Sequence, residues 1–407
     1  MIPFTRMDLS LTRLCAVCGR EEAHSFRRQC FLLPGETRTG YDVVACASCG
    51  FCYARPLEGF VSALETHYRK SRKYAYEGSA NLARGLLATH EAAADFLVER
   101  IRRYSPPLRG VATPVLDVGC ATGQLLSLLR DRGLTDLVGL DPAPECRIVA
   151  RRLFDLDVAT GTLSEYRSSR LYGAIVFWNV LEHVLEPAAF VASAAALLDD
   201  DGVIFVQVPD AGRFGLERDE PFQELSVEHV NYFTESSLSG LMARCGYRPI
   251  EMRSEAIHTG GSAGAVLTAV FRRGEGSPPG PADTMAFVRY LEESSDRLTE
   301  VSGAIDALVA GREEIVVWGA GALTARLLAD TRLADARISA FVDSDSALHG
   351  TVLAGRPVLS PETLRGGLGT VLVASVRWES EILAALGGPL AWRGKVRTLR
   401  ETGFSRS

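Results

Sequence analysis

The chain has 407 residues, enough for two or three domains of about 150 residues each. Hydrophobic residues make up 47% and charged residues 23%, and 44 basic against 50 acidic residues leave a net charge of −6; this composition excludes a disordered chain and a protein devoted to neutralising nucleic-acid phosphates. No apolar run approaches the roughly 18 residues of a membrane span, and residues 1–14 lack the apolar stretch of a secretory signal, so a cytoplasmic protein is expected.

Six of the nine cysteines fall between Cys15 and Cys52. In a reducing compartment such clustering favours a metal over disulfides. Cys15-x-x-Cys18 and Cys46-x-x-Cys49 are each followed by glycine and are separated by 27 residues. Each turn aims two thiolates at one point, so the spacing predicts a closed, structural zinc site of Cys15, Cys18, Cys46 and Cys49. Cys30 falls outside the set, and Cys52 stands close enough to compete. So short a module rarely folds without a staple, and zinc is expected to set the fold of residues 13–55 within a module of residues 1–70.

A helix follows over residues 79–104, stopped by Ser105-Pro106-Pro107. Strands at 115–118, 137–140, 174–178 and 203–208 then alternate with helices at 124–130, 145–153 and 187–198. That order reads as an α/β unit with a mostly parallel sheet. Two more strands, 247–253 and 265–271, suit an antiparallel edge. The Gly- and Pro-rich stretch 272–283 reads as a linker. Beyond it a helix over 284–310 leads into a second, smaller α/β series at 315–318, 323–330, 338–342, 371–374 and 379–386. The resulting layout is a module at 1–70, an α/β domain at 71–274 and a C-terminal α/β domain at 284–407.

Val115-Leu-Asp-Val-Gly-Cys-Ala-Thr-Gly123 ends a strand and opens a helix, with glycines that allow the backbone close to a ligand. Asp117 can hold the loop or meet an ammonium group. Asp141 ends the next strand, 24 residues on, where a carboxylate suits a pair of ribose hydroxyls. With Gly139-Leu-Asp-Pro142 and Phe177-Trp-Asn-Val-Leu-Glu-His-Val184, this segment resembles the class I S-adenosylmethionine-dependent methyltransferases over residues 114–210. The resemblance implies their Rossmann-like α/β sheet and S-adenosylmethionine as cofactor. It implies cofactor contacts from Asp117, Gly119, Cys120, Thr122, Gly123 and Asn179, the ribose on Asp141, and the adenine beside Thr162 and Leu163. Glu182 and His183 read as local structure or cofactor-side lining.

The three-part layout resembles the C-methyltransferases of nucleotide-linked deoxysugars, which carry an N-terminal zinc module, a central methyltransferase and a C-terminal Rossmann-like domain. Ser226-Val-Glu-His-Val-Asn-Tyr-Phe233 resembles that family's HEHxxYF stretch, with Ser226 and Val227 in place of its Tyr and first His. Tyr74-Ala-Tyr-Glu-Gly-Ser79 resembles a run lining its sugar pocket. The resemblance implies a small-molecule acceptor, a keto sugar on a nucleoside diphosphate, in natural-product or antibiotic biosynthesis. Methylating carbon beside a ketone needs a base to form the enolate, and His229 is the candidate, with Glu228 orienting it and Tyr76 donating to the enolate oxygen. Transfer to oxygen or nitrogen, and a non-catalytic scaffold, are the alternatives. In the last domain Gly319-Ala-Gly321 and Asp343 have dinucleotide-like spacing, while the resemblance implies acceptor binding there.

Overall fold

The computed structural model describes residues 13–33, 37–64, 80–105, 112–215, 220–259, 262–276, 280, 284–376 and 378–399. Tyr76 and the middle of the expected linker lie outside these residues.

The N-terminal strands form a longer hairpin than the cysteine spacing suggests. β1 (Ala23–Leu33) and β2 (Thr37–Cys46) pair antiparallel, and β3 (Cys52–Pro56) pairs with β2. At the hairpin a Cβ on Gly40 would stand 2.2 Å from the Gln29 carbonyl oxygen, so no side chain fits there. The fourth strand of this sheet comes from far along the chain: β9 (Asn231–Tyr232) pairs antiparallel with β3.

The central unit opens with α1 (Ala80–Tyr104) and continues as β4 (Val115–Val118), α2 (Gln124–Asp131), β5 (Leu137–Asp141), α3 (Pro144–Phe154), β6 (Val158–Thr160), β7 (Tyr172–Trp178), α4 (Pro187–Ala194) and β8 (Leu198–Pro209). After β9 come α5 (Glu235–Arg244), β10 (Tyr247–Thr259) and β11 (Ser262–Arg273). The seven-stranded order is β10-β11-β8-β7-β4-β5-β6. All four residues of β4 are buried, as expected of a parallel strand covered on both faces. The expected antiparallel edge is present, but in reversed order. β11 inserts between β8 and β10 and runs against both, so β10 is again parallel to β8. The helix expected to reach residue 198 stops at Ala194, because Leu198 already belongs to β8.

The C-terminal unit comprises α6 (Met285–Gly311), β12 (Glu314–Trp318), α7 (Ala322–Asp330), β13 (Arg337–Val342), β14 (Val352–Leu353), β15 (Arg356–Leu359), β16 (Thr370–Val373), α8 (Glu379–Gly387) and β17 (Lys395–Thr398). Its sheet has the order β14-β15-β13-β12-β16-β17, parallel except for β14.

This unit packs against the N-terminal sheet. One apolar cluster runs from Phe31, Tyr41 and Phe60 through Phe214, Phe222 and Tyr232 to Phe287, Leu327 and Phe341. At its centre Arg326 on α7 is 1% exposed and donates to the carbonyls of Pro221 at 2.9 Å and Leu225 at 2.6 Å. Its guanidinium lies 5.5 Å from the Phe31 ring centroid. Beside it Arg27 pairs with Asp330 at 3.2 Å. Truncating Arg326 leaves two buried carbonyls without their donors. Arg326→Met is expected to cost about 2–5 kcal/mol. Urea denaturation checks this, and an unchanged midpoint contradicts it.

Candidate functional site

The strand order turns back on itself at β4, since β5 and β6 lie on one side and β7 and β8 on the other. In such sheets the crevice beyond the strand C-termini at this reversal takes the ligand. The glycine loop sits there. Gly119 and Gly123 have φ of 77°, and Ala121 has φ of 49°, all in the left-handed region. A Cβ on Gly119 would stand 2.7 Å from Val180 Cγ2, so the loop passes close to the end of β7. Gly119 N–H donates to Leu140 O at 2.7 Å, tying the loop to β5.

Asp141 is 4% exposed, and its carboxylate accepts from Ala121 N–H at 3.0 Å and Ala143 N–H at 2.9 Å. It therefore organises the loop as well as ending the strand. Its carbonyl accepts from Gly161 N–H at 3.1 Å, which brings the turn with Thr162 and Leu163 to the same edge. Thr162 Oγ1 donates to Glu165 at 2.8 Å, and Leu163 is buried. Asn179 is exposed at the end of β7, with φ of 55° and its N–H bonded to Gln207 O at 2.9 Å. Thr122 is buried in the loop. Cys120 departs from its expected lining role. Its sulfur points back beneath the sheet, 2.8 Å from where a Gly139 Cβ would lie, and packs with Leu126, Ala150 and Val158.

Asp117 is buried at 2% exposure, and among the described residues its Oδ2 has no hydrogen-bond partner. Burial, with help from the Asp141 charge, pushes its carboxyl up to about 7. An orphaned buried carboxylate beside a glycine cradle fits a cationic ligand group.

The two cysteine turns meet. Cys15 and Cys49 sulfurs are 3.5 Å apart and Cys18 and Cys46 sulfurs 3.4 Å, and all four lie within 4.8 Å of one another. These separations are too long for disulfides and near the roughly 3.8 Å between sulfurs bound tetrahedrally to zinc. Gly19 and Gly50, at φ of 77° and 74°, donate back to Cys15 O and Cys46 O and shape identical turns. The donor set and geometry fit zinc. Cys52 is buried in β3, outside the group. Arg244 at the end of α5 donates to Cys15 O at 3.2 Å and Ala16 O at 2.9 Å, seating the first turn on the central unit.

A second constellation was only half visible in the sequence. Glu182, His183 and His229 bring ligand atoms within 4.8 Å of one another. The two imidazoles are 4.9 Å apart at 68°. His183 Nδ1 lies 3.1 Å from Glu228 O; a carbonyl only accepts, so Nδ1 carries the proton and Nε2 is the ring's basic atom in the neutral form. Glu182 Oε1 is 3.8 Å from that Nε2. Ser226 Oγ accepts from the N–H groups of Glu228 and His229 at 3.3 and 3.1 Å, bending the chain at the pair. Tyr232 is buried below, its hydroxyl 3.1 Å from His229 O, so it supports the histidine from the core. The spacing Glu182-His183 within an expected structural turn hid its meeting with residue 229.

The Asp117 carboxyl yields a pH prediction for the ligand-free protein. Its folded value stands above the unfolded one, so stability from this group is present below about pH 4 and lost as pH rises through about 7. Asp117→Asn is expected to gain about 2–4 kcal/mol over wild type at roughly pH 8 and little at roughly pH 4. Urea denaturation at both pH values checks this; equal differences at the two would contradict it.

A sequence family described as "Methyltransferase domain" matches residues 89–252, which include the glycine loop and Asp141. The C-methyltransferase NovU of Streptomyces niveus is 28% identical over 356 residues, covering 82% of this chain and 79% of that protein. The ubiquinone biosynthesis O-methyltransferase of Methylocella silvestris is 34% identical over 113 residues, covering 25% of this chain and 42% of that protein. Among solved structures, Burkholderia thailandensis 1,6-didemethyltoxoflavin-N1-methyltransferase aligns with a TM-score of 0.39 and 18% identity, over 56% of this chain and 97% of that one. The central unit is a methyltransferase domain with the class I α/β fold, and the chain is an S-adenosylmethionine-dependent methyltransferase.

Proposed function

We propose that this enzyme methylates a carbon atom next to the keto group of a sugar linked to a nucleoside diphosphate, by way of an enolate. The observation that carries the reading is the meeting of two histidines, His183 and His229, with the carboxylate of Glu182. The extent of the similarity to a C-methyltransferase supports it, since that match runs over most of the chain and the O-methyltransferase match over a quarter.

S-adenosylmethionine supplies an electrophilic methyl group on a sulfonium. The backbone around Gly119 and Gly123 would hold its methionine part, Asp117 its ammonium, Asp141 the ribose hydroxyls, and Thr162 and Leu163 the adenine edge, with Thr122 and Asn179 completing the lining. His229 takes the proton from the acceptor carbon, a role that an imidazole suits. His183 and Glu182 orient that ring and stabilise the imidazolium it becomes. Glu228 lines the acceptor side, and Tyr76 is the candidate donor to the enolate oxygen. Zinc on Cys15, Cys18, Cys46 and Cys49 is structural, because four thiolates leave no open position. Nine cysteines outside any disulfide suit a reducing, cytoplasmic compartment. The C-terminal domain, read as a second Rossmann-like unit, contributes to acceptor binding.

The direct test is incubation with methyl-labelled S-adenosylmethionine and a panel of nucleotide-linked keto sugars, read by carbon NMR. A carbon-bound methyl is expected; label on oxygen or nitrogen overturns the reading. In the same assay His229→Asn is expected to lower kcat by roughly 10²–10⁴-fold with S-adenosylmethionine affinity unchanged. Metal analysis is expected to find one zinc per chain, lost in Cys46→Ser together with cooperative melting of the N-terminal sheet. Full metal retention in that variant excludes the four-cysteine site.

A further inference from the structure

Arg13 lies two residues before the first zinc-turn cysteine and is 7% exposed. A buried guanidinium is costly unless fixed acceptors satisfy it. Here they come from three distant stretches. Nε donates to Leu185 O at 2.9 Å; Nη1 donates to Ala54 O at 2.7 Å and Val230 O at 2.9 Å; Nη2 donates to Asn231 Oδ1 at 2.5 Å. Asn231 in turn donates through Nδ2 to Leu181 O and Val184 O, both at 2.7 Å. The guanidinium and the amide together hold three carbonyls of the turn at 181–185 against residues 230–231.

Those are the two segments that carry the histidines. His183 sits between held carbonyls, and His229 adjoins Val230. Val230 N–H also donates to Glu182 O at 2.8 Å. Arg13 itself is fixed from outside the pair. Its guanidinium carbon lies 5.2 Å over the Tyr53 ring, and its chain runs directly into Cys15.

We propose that Arg13 is a positioning residue for the histidine pair, transmitting the rigidity of the cysteine turns to the separation and orientation of His183 and His229. The proposal rests on the assignment of these histidines to the acceptor side. Lysine cannot replace it, because the three donors of one ammonium cannot meet the four acceptors spread around the guanidinium plane.

The experiment uses the full-length, zinc-loaded enzyme labelled with ¹⁵N-histidine, in the Arg13→Lys and Asn231→Ser variants. Ring-nitrogen NMR signals are recorded with S-adenosylmethionine and without acceptor, alongside zinc content, S-adenosylmethionine affinity and turnover. Arg13→Lys is expected to keep zinc and S-adenosylmethionine affinity. It moves the ring signals of His183 and His229, leaves those of His24 and His349 in place, and lowers kcat about 10-fold or more with KM for S-adenosylmethionine unchanged. Asn231→Ser moves the same two signals and serves if Arg13→Lys does not fold. The proposal is overturned if both signals stay in place, or if all histidine signals shift together with loss of zinc. Because the NMR readout needs no acceptor, it decides the positioning role even if the methyl proves to go elsewhere than carbon.

Discussion

The pairing of Asn231–Tyr232 with Cys52–Tyr53 is the contact on which the rest of the structure depends. It is only two residues long, yet it adds a strand of the central unit to the N-terminal sheet. A strand so short has little stability of its own. What fixes it is burial of its side chains and a set of charged and polar donors. Tyr232 lies in an aromatic group with Phe214 and Phe287, and Phe233 stacks on Phe51 at 5.3 Å. Tyr41 on β2 donates to Ser226 O at 2.7 Å, pinning the approach to the strand from the N-terminal side. The residues immediately before it, Glu228 and His229, therefore have a backbone path set by both units. The cysteine turns are coupled to the histidines by this route.

The same contact explains what could and could not be read from the sequence. The glycine loop and Asp141 were legible because their chemistry is local: a strand, a turn needing positive φ, a helix, and a carboxylate at the next strand tip. The four cysteines were legible because two short repeats with trailing glycines report their own turn geometry. The β1–β2 hairpin was not, since half of β1 faces solvent and carries no alternating apolar pattern. β9 was not, because two residues carry no periodicity. The meeting of His183 with His229 spans 46 positions and depends on β9, so nothing near either residue announces it. The resemblance implied a cofactor contact from Cys120, and the missing side chain at Gly139 instead leaves room for its sulfur beside Leu126. The place of Tyr76 lies outside the described residues.

The electrostatics divide the site in two. Beside the glycine loop one oxygen of the buried Asp117 carboxylate has no hydrogen-bond partner among the described residues, and its proton affinity is raised by burial. A cation placed there relieves that cost, so binding and charge neutralisation coincide. On the other side the polar groups are the imidazoles of His183 and His229 and the buried carboxylate of Glu182. Below, the C-terminal unit closes against β1 through Arg326 and the Arg27–Asp330 pair, so the N-terminal and C-terminal sheets share one apolar cluster.

The central claim is that the histidine pair forms an enolate before the methyl moves. It is tested most directly by carbon-bound deuterium uptake of the keto-sugar acceptor in heavy water, with S-adenosylmethionine left out. Uptake at the carbon beside the ketone by wild type, and its loss in His229→Asn, is the result expected. Turnover of the same acceptor with no uptake by the wild-type enzyme would contradict it.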